Sequence, residues 1–256
     1  GHAQLIVGTH ALFQDNVGFN KLALVIIDEQ HRFGVDQRLA LRNKGNDQFT
    51  PHQLVMTATP IPRTLAMSAY GDLDTSVIDE LPPGRTPIQT VTIPLDRREQ
   101  VLQRIATNCR EGKQAYWVCT LVEQSETLDA QAAEATYQEI KDRFPDVNIG
   151  LVHGKMKANE KQAVMQAFKD NQLQLLIATT VIEVGVDVPN ASIMVIENAE
   201  RLGLSQLHQL RGRVGRGATA SFCALLYKSP LSQNGQERLS ILRESNDGFV
   251  IAEKDL

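Results

Sequence analysis

Short apolar, β-branched runs alternate with amphipathic stretches along the whole chain. The runs occupy residues 5–7, 22–27, 53–56, 115–119, 147–152, 173–178, 192–196 and 222–227. Several are continuously apolar, which is the pattern of strands buried on both faces of a parallel sheet. Helical spacing predicts helices between them. Residues 96–110 put Val101, Leu102, Ile105 and Cys109 on one face; residues 125–144 do so with Leu128, Ala132, Ala135 and Ile140; residues 158–170 do so with Ala163, Val164, Ala167 and Phe168. This β–α alternation predicts an α/β fold.

The pattern breaks over residues 81–94, where Leu81-Pro82-Pro83-Gly84-Arg85-Thr86-Pro87 opens a stretch ending at Pro94. So many prolines and a glycine can continue neither a helix nor a central strand. The chain is therefore expected to hold a first domain over 1–81, a linker over 82–94, a second domain over 95–228, and a polar helical tail over 229–256. It enters its first run almost at once and stops at Lys254-Asp255-Leu256 without a turn signal. Both ends are expected to continue in a longer protein.

Composition narrows the function classes. The 256 residues are 42% hydrophobic, too apolar for a disordered chain. No stretch approaches the roughly 20 apolar residues of a membrane-spanning helix. With 26 Lys and Arg against 30 Asp and Glu, the net charge of −4 argues against coating nucleic acid by bulk charge, though not against gripping phosphates locally. Cys109, Cys119 and Cys223 lack C-x-x-C spacing and read as buried thiols in a reducing cytoplasm.

Four constellations carry candidate chemistry. In Leu24-Val25-Ile26-Ile27-Asp28-Glu29-Gln30-His31 a buried strand delivers two carboxylates at its C-terminal end, where ligands sit in open α/β sheets. Asp28 suits a hydrated Mg²⁺, and Glu29 suits orienting and deprotonating a water. Met56-Thr57-Ala58-Thr59-Pro60 places two hydroxyls after another strand. In Ala178-Thr179-Thr180-Val181-Ile182-Glu183-Val184-Gly185-Val186-Asp187 two threonines end a strand, suited to hydrogen bonds with phosphates. There, Gly185 and Asp187 sit where a carboxylate meets ribose hydroxyls. Gln209-Leu210-Arg211-Gly212-Arg213-Val214-Gly215-Arg216-Gly217 spaces arginines with glycines, and residues 201–217 hold four arginines and no acid. Guanidinium groups and bare backbone at that spacing fit phosphates. Each constellation alone is also what an ordinary strand end or turn looks like.

In this order and spacing the four resemble the superfamily 2 helicase core: motif II at 28–31, motif III at 57–59, motif V at 179–187 and motif VI at 209–216. The nearest family is the RecG branch-migration helicases. The resemblance extends through Gly8-Thr9-His10-Ala11-Leu12, Asp28-Glu29-Gln30-His31-Arg32-Phe33-Gly34-Val35, the proline-rich stretch, Tyr116-Trp117-Val118-Cys119 and 206–217. It implies RecA-like parallel sheets of the P-loop NTPase type, one truncated and one complete. It also implies ATP and Mg²⁺, with Asp28 for the metal, Glu29 for the hydrolytic water, and His31 coupling the nucleotide site to the second domain. Gln209, Arg213 and Arg216 are implied at the γ-phosphate, and Gly185 and Asp187 at the nucleotide. Gly8, Thr9, Thr57, Thr59, His153, Gly154, Thr179 and Thr180 are implied along a DNA backbone track.

The implied partners are branched or forked DNA and a single-stranded DNA-binding protein, with no membrane. The implied setting is the bacterial cytoplasm at the nucleoid. The full-length protein is expected to be a monomer and the given chain to self-associate. The translocase core of the transcription-repair coupling factor Mfd is closely similar, and a non-hydrolytic RecA-like binding module is the alternative from another class. The 256 residues contain no G-x-x-x-x-G-K-[ST] phosphate cradle: Gly112-Lys113 precedes Gln and Gly154-Lys155 precedes Met. The chain is accordingly expected to lack ATPase activity by itself.

Overall fold

The computed structural model describes residues 3–14, 16–28, 50–57, 74–78, 80, 85–120, 126–179, 188–217 and 219–255. The chain divides into two compact units, Gly1–Pro60 and Ile61–Leu256.

In the first unit, strands β1 (Leu24–Ile27) and β2 (His52–Val55) pair in parallel, with Leu24 opposite His52 and Ile27 opposite Val55. β1 alternates: Val25 and Ile27 turn inward against Leu22 and Val55, while Leu24, Ile26 and Leu54 are exposed. The expected burial on both faces is thus not what β1 shows. Residues 5–7 form no strand and are exposed; among the described residues no neighbouring strand shares a ladder with them.

The second unit carries a six-stranded sheet: β3 (Gln89–Pro94), β4 (Gln114–Val118), β5 (Ile149–Val152), β6 (Leu175–Ala178), β7 (Ala191–Ile196) and β8 (Phe222–Tyr227). Their spatial order is β3-β8-β7-β4-β6-β5, and every pairing is parallel. β4, β6 and β7 are buried at every position, as their unbroken apolar runs require. Helices α1 (Arg98–Arg110) and α2 (Glu126–Arg143) cover one face, packing Leu102, Ile105 and Ile140 onto Trp117, Ile177 and Val195. Helix α3 (Ala158–Lys169) lies on the other face with α4 (Leu204–Arg211), α5 (Gln233–Glu244) and α6 (Gly248–Lys254). There Phe168, Leu204, Leu207, Leu239, Leu242 and Ile251 meet Tyr116, Leu176, Met194 and Leu225.

Two expectations change. Residues 85–94 of the expected linker are woven into the second unit. Arg85 Nη2 donates to the Gly212 carbonyl at 3.0 Å, Ile88 is buried in the core, and β3 forms the sheet edge beside β8. The β-branched run Thr90-Val91-Thr92-Ile93 suits a strand, and an edge position tolerates Pro94 at its end. The tail is likewise not merely polar. Leu239, Leu242 and Ile251 join the main core, and Asp255 accepts from Ser205 N at 3.1 Å and from the Ser205 hydroxyl, capping the first turn of α4.

Candidate functional site

Ligand sites in open parallel sheets lie beyond the C-terminal strand ends, where successive connections depart in opposite directions. From β4 the chain runs outward to β5; from β6 it crosses back to β7. The crevice is therefore at the ends of β4 and β6. Val152 and Val118 both pair with Ala178, so the next residues, His153, Thr179 and Cys119, stand side by side there. Thr179 N donates to Val152 O at 3.2 Å and Cys119 N to Ala178 O at 2.8 Å.

Two of the expected backbone-track residues are thus neighbours, and both are buried: His153 is 8% exposed and Thr179 3%. His153 Nε2 lies 3.3 Å from Glu134 Oε1 on α2. Among the described residues, His153 Nδ1 and Thr179 Oγ1 are buried and meet no hydrogen-bond partner. Leaving such a group unsatisfied costs about 1–3 kcal/mol, and so it calls for an explanation at each position. Polar atoms waiting at a strand-end crevice fit a ligand that donates and accepts. The Gly154 carbonyl takes a bond from Lys161 Nζ of α3 at 2.9 Å, which fixes the His153-Gly154 turn.

The neighbouring strand ends are braced. Arg98, at the start of α1, bonds Glu197 beyond β7 and Glu139 of α2 (2.9 Å), and lies 5.4 Å over the Trp117 ring. Burial opposes the charge on Arg98, but the Glu139 hydrogen bond and the field of Glu197 outweigh it and raise its pKa. Thr120 Oγ1 donates to the Glu197 carbonyl, and Asn198 Nδ2 returns a bond to Thr120 O at 2.9 Å.

The arginine-rich segment leaves α4. Gln209 and Arg213 are half-buried and Arg216 is exposed. Arg211 differs from them: it is 3% exposed and faces inward. Its Nη1 donates to Leu242 O (2.7 Å), Ser245 O (2.8 Å) and Thr90 Oγ1 (3.3 Å), and its Nη2 donates to His208 Nδ1 at 3.0 Å. For His208 to accept, that imidazole must be neutral. Burial, with Arg211 and Arg85 nearby, lowers its pKa to about 4. One of the four arginines of this basic segment is therefore a structural clamp, binding the carbonyl end of α5 where a cation is favoured.

The glycines here also have packing duties. Gly215 has φ +77°, and a Cβ would stand 2.9 Å from Ile88 Cγ1; at Gly217 it would meet the Pro189 carbonyl at 2.6 Å. The Gly212 carbonyl accepts from Arg85 and, at 3.4 Å, from Arg216 Nε.

In the first unit Asp28 follows β1 directly and is exposed. Met56 N donates to Ile27 O at 2.8 Å, so Asp28 and Thr57 emerge at the same end of two adjacent parallel strands. Gly8 and Thr9 lead into a short 3₁₀ turn, His10–Phe13, with Leu12 N donating to Thr9 O at 3.0 Å. Glu29, His31, Thr59, Thr180, Gly185 and Asp187 lie outside the described residues. The three cysteines are free and buried, as expected; burial pushes the Cys109 thiol up to about 12. No described helix is long and apolar enough to cross a membrane.

Arg85 and Arg211 were missed as structural residues from sequence. Arg211 had a signal: it continues the stripe Leu204, Leu207 at helical spacing and so had to point into the core.

Residues 96–218 match the helicase conserved C-terminal domain family. The ATP-dependent DNA helicase RecG of Escherichia coli K12 is 71% identical over 258 aligned residues, covering all of this chain and 37% of that protein. A solved structure of RecG bound to a three-way DNA junction superposes with TM-score 0.76 at 46% identity, covering 97% of this chain and 32% of that one. Saccharomyces cerevisiae Dbp5 bound to RNA and ADP BeF3 matches with TM-score 0.64 at 15% identity over 94% of this chain and 61% of Dbp5, a likeness of fold alone. The sheets are thus RecA-like, of the P-loop NTPase type. The chain spans about 37% of the length of the curated relatives it matches. Identity of that degree over its whole length makes the chain similar to about a third of a RecG-type helicase.

Proposed function

We propose that this chain is part of the motor of an ATP-dependent DNA helicase that remodels branched DNA, acting in branch migration and fork reversal in a bacterial cytoplasm. Its 71% identity, over all of this chain and 37% of a RecG helicase, carries the reading. Residues 1–81 belong to a first RecA-like domain and residues 95–228 to a second, and each contributes residues that handle ATP.

Asp28, an exposed hard oxygen donor at a strand end, fits Mg²⁺, which accepts one or two carboxylates and completes its shell with phosphate oxygens and water. When bound, the ion neutralises phosphate charge. Glu29 orients the attacking water and takes its proton. Arg213 and Arg216, with Gln209, neutralise the charge that builds on the γ-phosphate oxygens in the transition state. Gly185 and Asp187 hold the nucleotide, and His31 couples the nucleotide site to the second domain. Gly8, Thr9, Thr57, Thr59, His153, Gly154, Thr179 and Thr180 contact the DNA backbone, mostly through hydroxyls and main chain. Such contacts let a chain of net charge −4 grip DNA.

The test is Arg213→Ala and Arg216→Ala in the full-length protein that carries this segment. DNA-stimulated ATP turnover should fall by about 10³–10⁵, the scale of an arginine finger, with branched-DNA binding retained. Near-normal turnover in both variants would refute the assignment. The 256-residue chain alone should not hydrolyse ATP.

A further inference from the structure

On the α1 face of the second sheet, among the described residues, two helices serve six strands and leave the β3–β8 edge uncovered. Val91 pairs with Ala224, and strand alternation places Val91, Ile93, Phe222 and Ala224 on this face. Val91 is 44% exposed and Phe222 42%. Together with the side of α1 that presents Arg97, Val101 and Arg104, they line a groove of about 640 Å³. Its lining includes three cations, Arg97, Arg104 and Lys113, and no carboxylate. Arg97 Nε donates only to neutral Gln100, at 3.0 Å. Among the described residues the Arg104 guanidinium meets no acid, and Lys113 reaches exposed Glu111 at 3.4 Å. At the foot of the groove Ser192 Oγ is buried without a partner.

We propose that this groove docks an amphipathic helix from a partner protein. Its apolar stripe seats on Val91, Phe222 and Ala224, and its flanking carboxylates meet Arg97 and Arg104. A helix is the occupant because the vacancy lies beside α1 on a parallel sheet, where α/β architecture stacks its next helix at about 10 Å. An acidic flank is required because Arg97 and Arg104 on one wall meet no acid among the described residues. The apolar floor is small and partly covered, unlike the large apolar surfaces of obligate contacts. A hydrated cationic rim is instead the mark of steered, reversible association.

The test uses a labelled designed helix of about 14 residues, with Leu at i, i+3, i+4 and i+7 and Glu on both flanks. Fluorescence anisotropy should show saturable binding to the 256-residue chain, weakened on the order of tenfold by Arg97→Glu with Arg104→Glu. Val91→Asp should weaken it as well. A Lys-flanked version of the helix should invert the preference and bind the double-Glu variant better. Thermal melts of these variants, all at exposed positions, check folding. Equal binding to wild type and double variant, or equal binding of Glu- and Lys-flanked helices, overturns the proposal. So does binding to the 256-residue chain that disappears in the full-length protein, since that protein's own chain would then fill the groove.

Discussion

Arg211→Met removes the clamp while keeping most of its volume. The guanidinium satisfies Leu242 O, Ser245 O, Thr90 Oγ1 and His208 Nδ1. Leu242 is buried, so its carbonyl is left without a partner at about 1–3 kcal/mol. Ser245 is only half-buried, and water replaces that bond at small cost. The Thr90 hydroxyl can rotate. Relief of the cation's own desolvation, which lowers the Arg211 pKa, offsets part of the loss. The net is about 2 kcal/mol for Met and about 1 kcal/mol for Lys, which retains the charge but not the fork. Trp117 is the only tryptophan in the chain and is fully buried in β4, so its fluorescence reports the second unit alone. At a urea m-value of about 2 kcal/mol/M, Arg211→Met should lower the midpoint by about 1 M and Arg211→Lys by about half of that. These melts belong at pH 8, where His208 is neutral. A Met variant within about 0.3 M of wild type, at unchanged m-value, would refute the clamp.

Two further outcomes follow from the same geometry. His208 titrates near 4 when folded and near 6.5 when unfolded, so the folded state binds fewer protons. The stability it contributes is fully present above about pH 6.5 and is lost as pH falls from there towards 4. After discounting for partial solvent access the loss is about 2 kcal/mol; Trp117-detected urea melts from pH 8 to 4 should show it, and His208→Gln should flatten the decline. Gly217→Ala forces a methyl to within 2.6 Å of the Pro189 carbonyl. It should cost about 1–3 kcal/mol in a thermal melt, whereas Gly203→Ala, with open space around it, should cost less than about 1 kcal/mol.

The alternation of apolar runs and helical stripes located seven of the eight described strands to within a few residues, because each carries a short apolar run, which β4, β6 and β7 bury on both faces. β3 escaped for the opposite reason. At a sheet edge its threonines and proline are tolerated, and they read as a linker. The tail escaped because Leu239, Leu242 and Ile251 are few among polar neighbours, yet they complete the core. Within the arginine segment, helical spacing turned Arg211 inward with Leu204 and Leu207 but did not show which partners its guanidinium would choose. That choice depends on carbonyls of α5, more than 30 positions away in sequence. The buried, unpartnered atoms of His153 and Thr179 were not legible either, since being unpartnered depends on where neighbouring strands end.

The shared carbonyl of Gly212 gives the arginine segment a spare anchor. Arg216 and Arg85 both donate to it, and the Arg85 bond is the shorter. If Arg216 turns away, Gly212 O keeps a charged donor from a segment 127 positions earlier in sequence. The turn after α4 thus stays fastened whichever way Arg216 points.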